Sequence, residues 1–147
     1  MEGKEIDILL IEDNPGDARL LKEALGECRM DHRLEVVTDG VEALRYLRRE
    51  EPYSRGFRPD LILLDLNLPR KDGREVLKEI KTDAVLRRIP VMILSTSEAE
   101  ADILTAYDCH ANCYICKPLD LEAFFEVAES IRRFWVDTVK LPAKDTP

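Results

Sequence analysis

Long apolar runs, an excess of basic residues and internal repeats are all missing from this sequence, and each absence excludes something. No apolar run approaches the roughly 20 residues that a membrane span needs. No basic segment followed by an apolar stretch and small residues opens the chain, so a secretion signal is not expected. The expectation is a soluble, cytoplasmic protein. Lys and Arg total 22 against 30 Asp and Glu, a net charge of −8 at pH 7. That balance argues against nonspecific DNA binding, which neutralises phosphates with Lys and Arg. With neither repeats nor low-complexity segments, the 147 residues, 45% of them apolar, fit one domain around one core.

The four cysteines are expected to be reduced thiols, because nothing points to an oxidising compartment. Three of them crowd with a histidine into CHANCYIC (109–116), a spacing that invites a zinc site. NCYIC reads better as a strand. Residues three apart on a strand face opposite sides, so Cys113 and Cys116 would not converge on one metal. The sequence also has no second ligand cluster.

What is present is a regular alternation. IDILLI (6–11), LEVVT (34–38), DLILLDL (60–66), VMILS (91–95) and NCYIC (112–116) read as strands. Helical patterns fall between them. Asn14 and Pro15 supply a cap and a first helical position for a helix to about Cys28. Val41, Leu44 and Leu47 recur at helical spacing after Asp39-Gly40, and Val76, Leu77 and Ile80 do so after Gly73. Ser97 with Glu100 matches a capping box for a fourth helix. Pro118 and Asp120 lead into a last helix from about Leu121 to Asp137, and LPAKDTP reads as a frayed tail. The division expected is one domain over 1–137 and a C-terminal tail over 138–147.

Strands alternating with helices imply a doubly wound α/β fold: a five-stranded parallel sheet with five helices on its two faces. Right-handed crossovers make the order 2-1-3-4-5 the natural choice. In such sheets ligands bind beyond the carboxyl ends of the strands, where the order reverses between strands 1 and 3. Glu12 and Asp13 follow strand 1, Asp65 follows strand 3, Ser95 ends strand 4 and Lys117 follows strand 5. All five belong at one rim.

Three carboxylates in one crevice repel each other, and without a cation at least one pKa should rise. An oxygen-only donor set suits Mg²⁺, which takes one or two carboxylates and leaves room for phosphate oxygens. A lysine, a hydroxyl and a hard cation are what a transferring phosphoryl group needs as charge builds on its oxygens. Asp65, central in the sheet, is the candidate nucleophile, and the product would be an aspartyl phosphate. Taken singly, an Asp at a strand end is more often a turn residue and a Lys-Pro more often a loop. Chance is a poorer account of all of them falling at successive sheet ends.

ILLIEDNP, LILLDLNLPRKDG, VMILSTS and YICKPLD resemble the four signature blocks of response-regulator receiver domains, over roughly residues 6–135. The resemblance implies the flavodoxin-like receiver fold and a two-component role. It implies Asp65 as phosphoacceptor, with Mg²⁺ held by Asp13, Asp65 and the Asn67 carbonyl, and by Glu12 largely through water. Lys117 would contact the phosphoryl group, Ser95 would be the switch hydroxyl, and Tyr114 would turn inward when Ser95 moves. A cis peptide before Pro118 is also implied. Two positions depart from the common pattern. Glu12 stands where many receivers have Asp, and Thr96 stands where Ala or Gly is frequent, so its branched side chain would narrow access to the acceptor.

EDNPGDARLLKEAL, the loop before strand 3, STSEAEADILTAYDCHANCYICKP and the closing FW resemble small stand-alone regulators of phytochrome histidine kinases. On that resemblance the donor is a phosphohistidine of a bacteriophytochrome-type kinase, docking on the first helix at Arg19, Leu20, Glu23 and Ala24. His32 and His110 fall outside the inferred site, so neither is an internal donor. About a dozen residues follow the last helix, so no attached output domain is expected. The signal would leave by the surface of helix 4, strand 5 and helix 5. In the last helix, Leu121, Phe124, Ala128, Ile131 and Trp135 recur as an inward stripe. Phe125, Phe134, Val136 and Val139 extend beyond it and suggest a homodimer through this region. Three readings compete. A haloacid-dehalogenase-like phosphatase wants a second acid where Asn67 stands. A vestigial receiver acting only as a binding module does not need Asp65, Lys117 and a hydroxyl together. A flavodoxin-like redox protein needs a Ser/Thr-rich phosphate loop after strand 1, which is absent.

Overall fold

Every expected apolar run becomes a strand. In the computed structural model, which describes residues 5–144, these are β1 (Ile6–Ile11), β2 (His32–Val37), β3 (Leu61–Leu64), β4 (Val91–Ser95) and β5 (Cys113–Cys116). The helices are α1 (Pro15–Glu27), α2 (Gly40–Leu47), α3 (Gly73–Thr82), α4 (Glu100–Asp108) and α5 (Leu121–Ile131). All strand pairings are parallel, and the order is β2-β1-β3-β4-β5, as expected. Among the described residues no helix is long and apolar enough to cross a membrane.

The central strands are buried on both sides because alternate residues enter different cores. Ile8 and Leu10 of β1, Leu61 and Leu63 of β3, and Met92 and Leu94 of β4 pack against Leu21 and Leu25 of α1 and Phe124, Ala128 and Ile131 of α5. Leu9, Ile11, Ile62, Leu64, Val91 and Ile93 face the other way, onto Leu44 of α2, Leu77 and Ile80 of α3 and Ala106 of α4. A strand with helices on both faces needs a continuous apolar run, which is why β1 and β3 lack polar alternation.

Helix starts follow the expected chemistry with one exception. Asn14, Asp39, Asp72 and Asp120 each accept a bond from a backbone N–H in the first turn of α1, α2, α3 and α5. At α4 the capping box does not form. The cap position is Ala99, which has no side-chain acceptor, while the Ser97 hydroxyl bonds Asp102 and Glu100 is exposed. The last helix also differs from expectation. After Ile131 it widens into a turn of π-helix, Arg132–Val136, before the chain leaves.

The C-terminal segment does not fray at once. Leu141 packs against the α1–α5 core, and the Lys144 ammonium bonds the buried Asp7 carboxylate and lies 3.4 Å from Asp60. The last three residues of the expected frayed tail lie outside the described residues. Asp7 also receives Arg33 through two bonds of 2.6 and 2.7 Å. Burial pushes its pKa up, but the bonds from Arg33 and Lys144 outweigh this and hold it below the usual carboxylate range.

Gly73 lets α3 begin directly against the end of β3. Its N–H donates to the Leu66 carbonyl at 2.8 Å, and a Cβ there would lie 2.3 Å from the Asp65 carbonyl oxygen. Gly73→Ala is therefore expected to destabilise by about 3 kcal/mol in urea titration. Gly26→Ala, with nothing within 4 Å of the added methyl, should stabilise by about 0.4–1 kcal/mol.

Candidate phosphoacceptor site

The sheet's own hydrogen bonds carry past the ends of the strands and place the polar groups. Glu12 N–H donates to the Val37 carbonyl at 3.0 Å, Asp65 N–H to Ile11 at 3.0 Å, and Lys117 N–H to Ser95 at 2.8 Å. Ser95 is also in register with Cys116. The backbone thus fixes Glu12, Asp65, Ser95 and Lys117 in neighbouring rows at the carboxyl edge. Glu12, Asp65 and Ser95 are buried among otherwise apolar strands.

The side chains converge. Lys117 Nζ lies 2.8 Å from Glu12 Oε1, 3.0 Å from Asp65 Oδ2 and 3.0 Å from Asp17 Oδ2. One oxygen from each of Glu12, Asp13 and Asp65 falls within 4.8 Å of the others. The other Asp65 oxygen, Oδ1, accepts the Asn67 N–H at 3.1 Å, and Glu12 Oε2 accepts that of Asn14 at 3.1 Å. Asp13 and Asn67 are exposed at the mouth. Ser95 Oγ accepts the Ser97 N–H at 3.1 Å, and Thr96 is exposed beside it.

Acids outnumber bases in this crevice. Burial, aided by the Asp65 charge, pushes the Glu12 pKa up to about 7, against the pull of Lys117 and the Asn14 N–H. Burial disfavours the charged form of Lys117. The bonds it donates to Glu12, Asp65 and Asp17 override this and hold the ammonium above the usual lysine range. An oxygen-only set with surplus negative charge and an open side fits a hard divalent cation.

A family model, the response regulator receiver domain, matches residues 8–129. The chain belongs to this family. It is 48% identical over 136 residues to the response regulator Rcp1 of Synechocystis sp., covering 92% of either chain. The crystal structure of the Mn²⁺-bound form of Rcp1 superposes with a TM-score of 0.87 at 47% identity, covering 94% of this chain and 99% of that one. That of a phosphorylated cyanobacterial phytochrome response regulator, RcpA, does so with a TM-score of 0.90 at 52% identity, covering 95% and 100%. The chain is a receiver-domain response regulator related to those of cyanobacterial phytochromes, in a family whose members bind divalent metal.

Several sequence expectations need correction. The peptide before Pro118 is trans, and the cis bond among the described residues precedes Pro52 instead. The long, flexible Lys117 side chain reaches the acids without it. Tyr114, the expected switch aromatic, is half-buried on the α2–α4 core, and its hydroxyl donates to the Ser97 carbonyl at 2.9 Å. Ala24, expected on the docking face of α1, is fully buried beneath it. As expected of residues three apart on a strand, Cys113 packs inward on the α1–α5 side while Cys116 is exposed.

Asp17 was missed. An acid in the first turn of a helix reads as a partner for the helix dipole, and that reading hides its bond to Lys117. The available signal was its place three residues after the Asn14 cap, in the turn that overhangs the ends of the strands.

Since burial is the larger cause of the Glu12 shift, Asp65→Asn should reduce it without abolishing it. In carboxyl-detected NMR of the metal-free protein, the Glu12 midpoint is expected at about 7 in the parent. In the variant it should fall below that value and stay above 4.5.

Proposed function

We propose that Asp65 accepts a phosphoryl group from a histidine kinase and that the modified site biases a partner-binding surface. The observation that carries this reading is the Asp65 carboxylate itself. It is buried and paired with Lys117, with the Glu12–Asp13 pair alongside. In the transfer, an Asp65 oxygen forms the new O–P bond as the phosphohistidine N–P bond breaks, and the imidazole leaves with the electron pair. Lys117 turns from a counter-ion of carboxylates into a partner for a phosphoryl oxygen. Ser95 Oγ already accepts from Ser97, so its own hydrogen is the one left to donate to the incoming group. A Mg²⁺ ion held by Asp13, Asp65 and the Asn67 carbonyl, with Glu12 behind, would neutralise the charge that develops on the phosphoryl oxygens.

The kinase is of the phytochrome type on this reading, which the similarity to a cyanobacterial phytochrome response regulator supports, and the reaction takes place in the cytoplasm. The docking face is the outer side of α1, where Arg19 and Glu23 are exposed and Leu20 is half-buried. Residues 1–137 act as one receiver unit with 138–147 as its tail. The signal leaves through α4, β5 and α5, where Leu104, Tyr107, Leu119 and Leu121 are exposed. Pairing of two copies through the C-terminal helix region rests on less than its sequence suggested. Phe125, Val136 and Val139 are half-buried, and Phe134, set edge-on to Trp135 at 4.9 Å, is the outward aromatic.

Intact-mass analysis after acetyl phosphate and Mg²⁺ is expected to show one added phosphate, absent in Asp65→Asn. An unmodified parent would overturn the assignment. In the same assay Thr96→Ala should label several-fold faster, because the branched side chain beside the acceptor is removed.

Sedimentation at rising concentration is expected to show a monomer–dimer equilibrium that Phe134→Ser weakens at least tenfold. A monomer throughout, with and without beryllofluoride, would exclude self-pairing.

A further inference from the structure

Ser97 has all of its polar groups occupied. Its N–H donates to Ser95 Oγ at 3.1 Å, and its carbonyl accepts the Tyr114 hydroxyl at 2.9 Å. Its own hydroxyl donates to Asp102 Oδ2 at 2.5 Å and accepts the Ala99 N–H at 3.2 Å. The residue joins the candidate switch hydroxyl, the candidate switch aromatic and the first turn of α4.

Asp102 is held in turn from α3. Arg74 Nη2 donates to Asp102 Oδ1 at 2.9 Å, and Nη1 bonds both oxygens of Asp72 at 3.1 and 3.2 Å. Asp72 caps α3 by accepting the Arg74 N–H at 3.0 Å, and the next N–H back, that of Gly73, donates to Leu66 directly after Asp65. The bonds therefore form a bridge. It runs from the segment after Asp65 through the start of α3 to Arg74, then to Asp102, Ser97 and Ser95. The two strand ends that carry the acceptor and the hydroxyl are joined a second time, outside the sheet.

An ordinary surface ion pair contributes little. This one differs in geometry. Both Asp102 oxygens are used by different elements, and the Arg74 and Asp102 side chains are only 31% and 29% exposed. We propose that Arg74 and Asp102 are positioning residues for the phosphoacceptor site: acting through Ser97, they hold the β4–α4 loop so that Tyr114 stays tied down and the Ser95 hydroxyl hydrogen is free to donate. The proposal rests on Asp65 being the acceptor. It adds that the preorganised loop is held by a side-chain bridge that no motif block contains as a unit.

The test uses the full chain labelled with 3-fluorotyrosine and read by ¹⁹F NMR, metal-free and unphosphorylated, with the Tyr114 resonance assigned from Tyr114→Phe. Arg74→Gln and Asp102→Asn are each expected to move the Tyr114 resonance toward that of a solvent-exposed ring. They should also slow labelling by acetyl phosphate about 3- to 10-fold, and Arg74→Lys should restore part of both. Ser97→Ala deletes one hydroxyl, leaves the Arg74–Asp102 pair intact, and should give the same ¹⁹F shift. If the charge variants unfold, Ser97→Ala decides alone. An unchanged Tyr114 resonance in folded variants overturns the bridge, whatever the labelling rate. Failure of the acceptor assignment appears separately, as a parent that takes up no phosphate.

Discussion

One ammonium among too many carboxylates is the interaction on which the rest of this structure turns. Lys117 touches Glu12, Asp17 and Asp65 at once, while Asp13 adds a further acid at the mouth. Burying an ion costs several kcal/mol unless it is paired, and Glu12 and Asp65 are almost fully buried. Lys117 offsets part of that cost. The remainder shows in Glu12, whose pKa is pushed up to about 7. A site left short of positive charge is a poor contributor to stability and a good seat for a hard cation, whose arrival relieves the repulsion. The stability given up here is the same quantity that makes binding favourable.

The opposite rim of the sheet faces the same problem and solves it differently. Asp7, near the start of β1, is as buried as Glu12. It is met by the forked guanidinium of Arg33 and by Lys144, and its pKa falls below the usual carboxylate range. Arg33 lies in turn 4.9 Å from the centre of the Phe57 ring. Two bases meet the one buried carboxylate there, both of its oxygens are paired, and the chain's C-terminal segment closes over the edge. The same strand thus carries a neutralised carboxylate at one end and an under-neutralised one at the other. The local balance of charge, not burial as such, separates the acid at one end from the acids at the other.

This contrast explains what could be read from the sequence and what could not. Strand identity, order and the convergence of Glu12, Asp13, Asp65, Ser95 and Lys117 were legible, because a doubly wound parallel sheet maps strand ends onto one rim. The cap at Asn14 and the helix starts after Asp39 and Asp120 were legible for a similarly local reason. Contacts between side chains far apart in sequence were not. Ser97 matched a capping box, yet its hydroxyl oxygen accepts the Ala99 N–H and its hydrogen goes to Asp102, whose charge Arg74 reinforces from 28 residues away. Lys144 belonged to a segment with every mark of a loose tail, and its partners, Asp7 and Asp60, lie far from it in sequence. Ala24 fell on the expected docking helix, but helical spacing alone does not say which edge of an apolar stripe meets the core. Tyr114 was placed correctly on β5, while its hydroxyl partner depends on a loop whose path the motif does not encode.

The state of Tyr114 constrains how any signal can be read out. With its hydroxyl already on the Ser97 carbonyl, the ring needs no large excursion to reach the arrangement expected after phosphorylation. A ligand shifts an equilibrium only by its differential affinity for the two states. A phosphoryl group on Asp65 would gain the Ser95 hydroxyl in the loop arrangement described here and lose it when Ser97 moves away. On the proposed reading the phosphate would act by holding the arrangement described here. The α4 surface would be changed by how often the loop is in place rather than by a shape that only the modified protein can reach. Such a device needs a loop whose competing positions differ by little. A single serine satisfied on every side by groups from β4, β5 and α4 is a compact way to make one of those positions specific without making it permanent.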